Sequence, residues 1–470
     1  MTDVPVLDYA FLAFESKASP KHVAGLQIFE LPKRAPDDFV AKLVLKIKDA
    51  KLEAPFNQKL RSRMVGMPQW VDDDDFDLDD HVFVESVPEP HTMAALLERV
   101  EELHAESLNR SVPLWELTIF EHLEGRRFAT YFKVHHAYMD GISLSQRTMT
   151  ALSENPDLED LGTFLGVNHA EHREVRDHLM SDLFGTAKRA GRAALVLPAL
   201  TKLGLKHGLR MLHLGGNDLP VPFTAPRTAF NTALTPRRSV AVVDLALDRV
   251  HNLAQHAAVT VNDVLLYLCD QALTRYLDVH GGAPDGPLIA QMPVSIRRPD
   301  VEQGNQITIA LLELGSKETN PMRRLQDIHA HAADVKHEFA AMTPETAEAY
   351  TVLMQSVAQL RESVGAGGIM PPLGNVVISN VIGPRKQLYL CGAPLLAIYP
   401  ISTIAPGLAL NITMFTYRDT LHGGIVAGHT AIPDLEPIAI NLRSALDELE
   451  TTMGLAPKPK RPRAKKKRAR

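Results

Sequence analysis

Two adjacent histidines, followed four residues later by an Asp-Gly pair, are the residues of this chain best suited to chemistry. They stand in the segment VHHAYMDG, Val134 to Gly141. Near neutral pH a histidine can take a proton from a hydroxyl, and it can also bind a metal ion or simply support a loop. The surrounding elements must decide between a general base, a metal site and a structural pair.

The histidines end a strand-like run, RRFATYFKVHH, and its alternation predicts where each side chain points. Val134 and His136 share one face of the strand, whereas Lys133 and His135 share the other. Zinc sites on a single element usually place their histidines on one face, so this pair predicts no metal site. The pattern leaves two interpretations open, His136 as a base at a cleft and a pair of structural histidines.

Asp140 and Gly141 follow a short bend after the histidines. The glycine permits a tight turn. The carboxylate is predicted to orient the loop or to pair with an arginine. No G-x-S-x-G segment occurs in the chain, and neither cysteine has a histidine close by in sequence, so no covalent nucleophile is predicted.

The elements around this segment indicate a mixed α/β protein of 470 residues in two comparable halves. Strand-like and helical runs fill residues 1–165, and a second set fills residues 231–455. A cationic helical stretch, 166–230, is predicted to link them. The tail, 456–470, holds nine basic and no acidic residues and is predicted to be disordered, either solvated or attracted to nucleic acid or an anionic membrane.

The composition is that of a soluble globular protein, with 45% hydrophobic and 23% charged residues. Its two cysteines, Cys269 and Cys391, make no disulfide framework, and this favours a reducing compartment. The N-terminal segment lacks the pattern of a signal peptide. The protein is therefore expected in the cytoplasm.

HHAYMDG fits the HHxxxDG motif of the chloramphenicol acetyltransferase-like superfamily. The chain also carries PLWE, ND, PVSIR and SNVIGP in an order that resembles the bacterial wax ester synthase/diacylglycerol acyltransferase family. The resemblance extends to about residue 455 and excludes the basic tail. It implies two chloramphenicol acetyltransferase-like α/β halves, joined by the helical linker, with the active site at their interface.

The resemblance also implies roles for individual residues, with His136 as the general base. The implied catalytic set is His135, His136, Asp140, Gly141 and Asn262. The implied substrate-binding set is Pro113, Leu114, Trp115 and Asp263, and the implied structural motif is Arg297, Ser379, Asn380 and Gly383.

Several of these residues have a structural alternative that the sequence leaves open. Thr260 and Asp263 match a capping box at a helix start, which would explain the ND motif without chemistry. PLWE could be the start of a hairpin with a core tryptophan. Arg297 could pair with Asp140 as a bridge between the halves, and Glu15 receives no role.

The implied reaction is acyl transfer from long-chain acyl-CoA to a fatty alcohol or diacylglycerol. Acyl-CoA would be a substrate, and neither a cofactor nor a metal is expected. Peripheral contact with the inner membrane or a lipid droplet is expected, and no specific nucleic acid. The alternatives are a condensation domain, which shares HHxxxDG, and a non-catalytic protein that coats lipid droplets or membranes.

Overall fold

The structure is a computed structural model of the chain. It describes residues 2–4, 6–49, 52, 54–63, 66–139, 141–158, 220–282, 284–295, 307–315, 318–363, 365 and 369–455. Asp140, Arg297, most of the linker and the basic tail lie outside the described residues. The proposed Asp140–Arg297 pairing, the helical linker and the disordered tail therefore stay predictions.

Strands and helices alternate along both halves. The strands are β1 (Thr2–Asp3), β2 (His22–Glu30), β3 (Gln58–Arg61), β4 (Gln69–Asp72), β5 (Val82–Ser86), β6 (Trp115–Leu123), β7 (Arg127–His135), β8 (Arg238–Ala246), β9 (Ile289–Ser295), β10 (Ile307–Glu313), β11 (Val376–Ile382), β12 (Tyr389–Leu390), β13 (Ala393–Ile401), β14 (Leu410–Tyr417) and β15 (Thr420–Gly428). The helices are α1 (Val6–Phe14), α2 (Phe39–Lys48), α3 (Met93–Ala105), α4 (Gly141–Thr150), α5 (Leu247–Ala257), α6 (Val261–Val279), α7 (Pro321–Ala340), α8 (Pro344–Ser363) and α9 (Glu436–Thr452).

Two six-stranded sheets form the two halves, which confirms the predicted α/β architecture. The first sheet has the order β12-β13-β2-β7-β6-β5, and the second has the order β10-β9-β11-β14-β15-β8. A small sheet, β1-β4-β3, flanks the first. The strand-like run RRFATYFKVHH is confirmed as β7, which forms an antiparallel hairpin with β6.

Two strands from the second half of the chain, β12 and β13, belong to the first sheet. β13 pairs antiparallel with β2, with Tyr399 opposite Leu26 and Ile401 opposite Ala24. Both edges of β2 are thereby paired, one with β7 and the other with β13. The sequence predicted that the second half begins at residue 231. Strands β12 and β13 lie after that residue but belong to the sheet of the first half.

The alternation of β7 separates two layers of the first half. Phe132 and Val134 pack in one apolar cluster with Trp115. Tyr131, on the opposite face, packs in another cluster with Val100 of α3. Both faces of the strand are covered, and every residue of β7 after Arg127 is buried. The strand therefore holds its C-terminal residues in a fixed direction.

The two halves touch through close backbone packing. Gly424 of β15 lies so near Pro400 of β13 that a Cβ atom at position 424 would overlap the Pro400 carbonyl oxygen. Glu101 of α3 accepts the backbone N–H of Val240 in edge strand β8 at 2.7 Å. Val240 and Val426 of the second sheet also pack in a cluster with residues of the first. The sheets therefore form one continuous body around the space between them.

Candidate active site

A cavity of about 330 Å³, called the chamber below, lies between the two sheets. Strands β2 and β13 line it from the first sheet, and β9, β11 and β14 line it from the second. Helices α1, α4 and α8 contribute further lining residues. Most of the lining is apolar. His136 is among the lining residues, so the histidine expected to be the base faces a space large enough for a ligand.

His135 is the last residue of β7 and is fully buried. Its backbone N–H donates to the Leu114 carbonyl at 3.0 Å. Its ring Nδ1 accepts the backbone N–H of Ala137 at 3.0 Å. Because Nδ1 is an acceptor, the neutral ring carries its proton on Nε2, which lies 3.5 Å from Oε1 of Glu15. Both ring nitrogens therefore face protein groups.

His136 lies just past the strand end and is a lining residue of the chamber. Its backbone N–H donates to the Lys21 carbonyl at 2.7 Å, which extends the β2–β7 ladder by one pair. The imidazole stacks on the ring of Phe11 in α1, with centroids 4.0 Å apart and planes 13° apart. The opposite directions predicted for the two histidines match this arrangement, and only His136 is a lining residue.

Glu15, which received no role from the sequence, binds to groups around both histidines. Its Oε1 accepts the backbone N–H of Lys21 at 3.1 Å and faces Nε2 of His135. Its Oε2 accepts two hydrogen bonds from the Arg110 guanidinium, at 2.7 and 3.1 Å. The Lys21 carbonyl accepts the His136 N–H, so the Glu15 carboxylate contacts His135 directly and His136 through Lys21.

The protonation state of Glu15 follows from these contacts. Burial by itself would raise the pKa of this carboxyl group. The neighbouring His135 ring, the Arg110 guanidinium and the Lys21 backbone N–H act in the opposite direction and lower the pKa to about 2. Glu15 is therefore an anion at every pH near neutrality.

Lys21 brings a positive charge to the chamber wall. Its side chain is only 6% exposed, and Nζ donates to the Ser19 hydroxyl at 2.7 Å. Burial lowers the pKa of this ammonium to about 8, the charge of Arg238 acts in the same direction, and Glu15 opposes them. The group is therefore mostly protonated at neutral pH.

Of the DG pair, Asp140 lies outside the described residues, and Gly141 opens α4 and lines the chamber. On the same helix, Arg147 is buried, with its guanidinium carbon 4.9 Å from the ring centroid of Phe56. A helix therefore follows the motif directly and forms part of the chamber wall.

The PLW residues support the histidines from behind. The Leu114 carbonyl holds the His135 N–H, and Trp115 donates from Nε1 to the Phe56 carbonyl at 2.9 Å. Trp115 is fully buried, and the described chamber lining includes none of Pro113, Leu114 and Trp115. The tryptophan packs in the core beneath β7, in agreement with the alternative of a hairpin start with a core tryptophan. The substrate contact expected for these three residues stays a prediction.

The ND residues cap a helix in the second half. Thr260 and Asp263 form the predicted capping box of α6, with hydrogen bonds of 2.8 and 3.2 Å. Oδ2 of Asp263 also lies 2.7 Å from Nδ1 of His329. Neither Asn262 nor Asp263 is among the described lining residues of the chamber. The capping alternative is thus confirmed for Asp263, and the catalytic role expected for Asn262 and the substrate contact expected for Asp263 stay predictions.

The SNVIGP motif runs through β11 and its C-terminal end, next to β14. Ser379 lines the chamber, whereas Asn380 does not. A Cβ at Gly383 would overlap the Thr416 carbonyl and the Phe415 ring, so the motif needs glycine for close packing. The motif therefore contributes one lining residue and a tight strand end, and Arg297 lies outside the described residues.

Metal binding finds no support in the described parts of the chain, where no group of three or more His, Cys, Asp or Glu could hold an ion. The absence of a cofactor stays a prediction. Within those same parts, no helix is both long and apolar enough to cross a bilayer.

Sequence reasoning missed the contributions of Phe11, Glu15 and Lys21. Phe11 and Glu15 come from α1 and the turn after it, and Lys21 immediately precedes β2. The sequence did contain a signal for Lys21. If HVAGLQIFEL and RRFATYFKVHH are paired antiparallel with His22 opposite His135, Lys21 falls opposite His136. Without knowledge of that register, the lysine could not be assigned to the chamber.

Known proteins share this fold. The starter condensation domain of rhizomide synthetase matches 96% of this chain and 94% of its own, with a TM-score of 0.57 and 14% identity, a likeness that concerns the fold alone. The wax ester synthase/diacylglycerol acyltransferase from Marinobacter aquaeolei VT8 has a TM-score of 0.76 and 32% identity, over 97% of this chain and 100% of that one. The fold and the HHxxxDG site define a chloramphenicol acetyltransferase-like enzyme.

Sequence relatives define the family more narrowly. A model of the wax ester synthase/diacylglycerol acyltransferase catalytic domain matches residues 5–265, and one of the WS/DGAT C-terminal domain matches residues 303–450. The O-acyltransferase WSD of Acinetobacter baylyi is 34% identical over 453 residues, covering 94% of this chain and 96% of that one. A Mycobacterium tuberculosis protein named "probable diacylglycerol O-acyltransferase" is 34% identical, with coverages of 95% and 98%. The chain belongs to the wax ester synthase/diacylglycerol acyltransferase family of O-acyltransferases.

Proposed function

We propose that this chain transfers a long-chain acyl group from acyl-CoA to the hydroxyl of a fatty alcohol or diacylglycerol, with His136 as general base. The observation that supports this most is the His136 ring at the wall of an apolar chamber between the two sheets. The names of the relatives, wax ester synthase and diacylglycerol O-acyltransferase, support the same substrates.

The reaction needs one base and no covalent acyl-enzyme. His136 takes the proton of the acceptor hydroxyl while the oxygen attacks the thioester carbonyl carbon. The carbon–oxygen double bond opens to a tetrahedral oxyanion, which re-forms the carbonyl as the carbon–sulfur bond breaks. His136 then returns the proton to the departing CoA thiolate. A thiol with a pKa of about 8.5 leaves far more easily than an alcohol, so the scheme needs neither a cofactor nor a metal.

The environments of the two histidines favour His136 over His135 for this role. His135 uses Nδ1 to accept the Ala137 N–H, and its Nε2 faces Glu15, so neither nitrogen points to a substrate. His136 is held by its backbone and by the Phe11 ring, while its imidazole faces the chamber. His135 and Glu15 are therefore positioning residues in this proposal.

Contact with a membrane or lipid-droplet surface belongs to the same proposal, because the acceptors and the products are insoluble in water. The cationic stretch 166–230 remains the proposed contact, since amphipathic cationic helices bind in the interfacial plane. Most of it lies outside the described residues. Flotation with anionic liposomes tests it, and equal flotation after charge reversal at Lys202, Lys206 and Arg210 in a protein without the tail would refute it.

Product analysis tests the reaction. Purified protein is mixed with palmitoyl-CoA and equal amounts of hexadecanol and dioleoylglycerol, and esters and free CoA are quantified. We expect wax ester or triacylglycerol in a one-to-one ratio with released CoA. His136→Ala should abolish both, whereas His251→Ala, at an exposed position on α5, should not. A folded His136→Ala protein with normal turnover would refute the proposal, and unchanged lipid binding without any ester formation would favour a coat protein.

A further inference from the structure

Lys21 and His136 are cross-strand neighbours on the chamber side of the first sheet. The β2–β7 register pairs Val23 with Val134 and His22 with His135, and the hydrogen bond from His136 N–H to the Lys21 carbonyl continues it. Side chains of directly paired residues in antiparallel strands point to the same face, with Cβ atoms about 5 Å apart. Both side chains line the chamber accordingly.

The Lys21 ammonium is poorly compensated for a buried charge. One of its three donors goes to the Ser19 hydroxyl, and no described carboxylate forms an ion pair with it. Glu15 is near but directs its oxygens to the Lys21 backbone N–H, Arg110 and His135. Burying an ammonium in apolar surroundings without a counter-ion is costly, so an apolar side chain would stabilise the fold better.

The chamber gives this charge a target. Apart from Lys21, the described lining contains no Lys, Arg, Asp or Glu side chain. Beside Lys21 the wall carries the neutral Thr403, from the segment after β13, whose hydroxyl donates to the Pro20 carbonyl at 3.2 Å. A lone positive charge in a chamber of low dielectric acts strongly on any negative charge that develops on a bound substrate.

We propose that the Lys21 ammonium stabilises the oxyanion of the tetrahedral intermediate in the acyl transfer proposed above, on which this inference rests. As the acceptor oxygen bonds to the thioester carbon, the π electrons of the carbonyl move to its oxygen beside Nζ, and the acceptor proton moves to His136. When the carbonyl re-forms, the electron pair returns and the C–S bond breaks. The ammonium keeps its protons throughout, so Lys21 acts by its charge and hydrogen bonds.

Binding of two acyl-CoA analogues tests the inference without turnover. A trifluoromethyl ketone analogue adds water or alcohol to form a tetrahedral oxyanion-like adduct, whereas a ketone with CH₂ in place of sulfur stays trigonal. Transition-state-like ligands bind at least about 100-fold tighter than ground-state ligands. In Lys21→Met, the ratio of the affinity for the fluoroketone to the affinity for the trigonal ketone should fall about tenfold or more. The affinity for the trigonal ketone should stay within about threefold of the wild-type value. An unchanged preference would overturn the proposal.

Steady-state kinetics give a second measurement. Lys21→Met should lower kcat about 100-fold with KM for palmitoyl-CoA within about threefold, the effect of removing one oxyanion donor. Lys21→Arg should recover part of kcat. Lys59→Met, at an ion pair with Asp73 in the small sheet, is the matched control and should behave as wild type. Lys21→Met should melt no lower than wild type, because it removes a poorly compensated buried charge.

The outcomes separate this inference from the proposed function. Ester formation that needs His136, together with a Lys21→Met kcat within about twofold of wild type, would overturn the role of Lys21 and leave the function standing. A wild-type protein that makes no ester but binds the fluoroketone in a Lys21-dependent way would refute the function and support the anion site. A Lys21→Met defect confined to acceptors that carry a carboxylate would make Lys21 an anchor for substrate charge, which also contradicts the proposal.

Discussion

The Glu15 carboxylate lies 3.5 Å from Nε2 of His135 and at the same time accepts the backbone N–H of Lys21 at 3.1 Å. The first contact places an anion beside the Nε2–H of one histidine, and the second holds the residue whose carbonyl accepts the N–H of the other. A single anion after α1 thus determines how the end of β7 presents His136 to the chamber. This relationship leads to predictions that separate chemistry from positioning.

Replacing His136 should mainly lower the rate of the reaction, whereas replacing His135 should mainly lower the stability of the fold. His136→Ala should lower kcat between about 10²- and 10⁴-fold, the contribution of a general base, with little change in melting temperature. His135→Ala should lower kcat less but destabilise the fold by about 1–3 kcal/mol, because the Ala137 N–H loses its acceptor in a buried site. Activity assays and thermal unfolding of both variants check this. Equal losses of activity with equally stable folds would contradict the distinction.

Glu15 should affect the rate through the orientation of His135. Glu15→Ala should lower kcat about 10- to 100-fold, the value of hydrogen bonds to a charged group, with KM nearly unchanged. Glu15→Gln, which can still accept the Lys21 N–H, should retain more activity. In ¹⁵N spectra of histidine-labelled protein, the Nε2 resonance of His135 should shift in Glu15→Ala, while the ring stays the Nε2–H tautomer because Nδ1 still accepts the Ala137 N–H. An unchanged Nε2 resonance in Glu15→Ala would show that Glu15 does not position this ring.

Glu15 should also contribute to stability in a pH-dependent way. Its pKa is lowered from 4.5 to about 2, so the folded state favours the anion. The stabilisation is fully present above pH 4.5 and is lost as the pH falls toward 2, at about 1.4 kcal/mol per pKa unit. Urea unfolding between pH 6 and 3 should therefore show that the difference between wild type and Glu15→Gln shrinks on acidification. Glu124→Gln, at a half-exposed carboxylate, is the control. A constant difference for Glu15→Gln would refute this contribution.

The approach of the two sheets should depend on Gly424. In Gly424→Ala, the added methyl group overlaps the Pro400 carbonyl, and backbone cannot yield as a flexible side chain can. Overpacking of this kind costs about 1–3 kcal/mol, and a shift of β13 would distort the chamber. Gly286→Ala, where a Cβ meets nothing within 4 Å, is the matched control. Chemical unfolding and kcat measure both effects, and wild-type values for Gly424→Ala would contradict the close packing of the sheets.

Chelators should leave turnover unchanged. The scheme uses a histidine base and a thiolate leaving group, neither of which needs a Lewis acid. Ester formation after dialysis against EDTA or phenanthroline checks this, with an untreated sample as control. Loss of activity that added zinc restores would revive the metal interpretation of the two histidines.

The sequence predicted those features of the site that depend on local geometry. Strand alternation gave the opposite directions of His135 and His136, and the Thr260–Asp263 capping box was readable from residue types and spacing. The order of strand-like and helical runs indicated two α/β halves, and the family resemblance added the chloramphenicol acetyltransferase-like fold and the acyltransferase class.

Features that depend on long-range pairing could not be predicted. The join of β13 to β2 links residues more than 350 positions apart, and no local pattern specifies such a register. The position of Lys21 opposite His136 depends on the β2–β7 register in the same way. Asp263 combines both kinds of feature, because its capping contact with Thr260 is local whereas its contact with His329 depends on the packing of two helices.

The exchange of β13 has a mechanical consequence for the enzyme. A fragment comprising residues 1–158 would expose the open edge of β2, the strand that borders the chamber, while the fragment that starts at 220 would carry the strand that closes it. A protein cut between these two fragments is expected to stay assembled, because backbone hydrogen bonds between β2 and β13 join the fragments. The chamber wall formed by β2 and β13 thus contains strands that are distant in the chain, and opening it along this edge would break backbone hydrogen bonds.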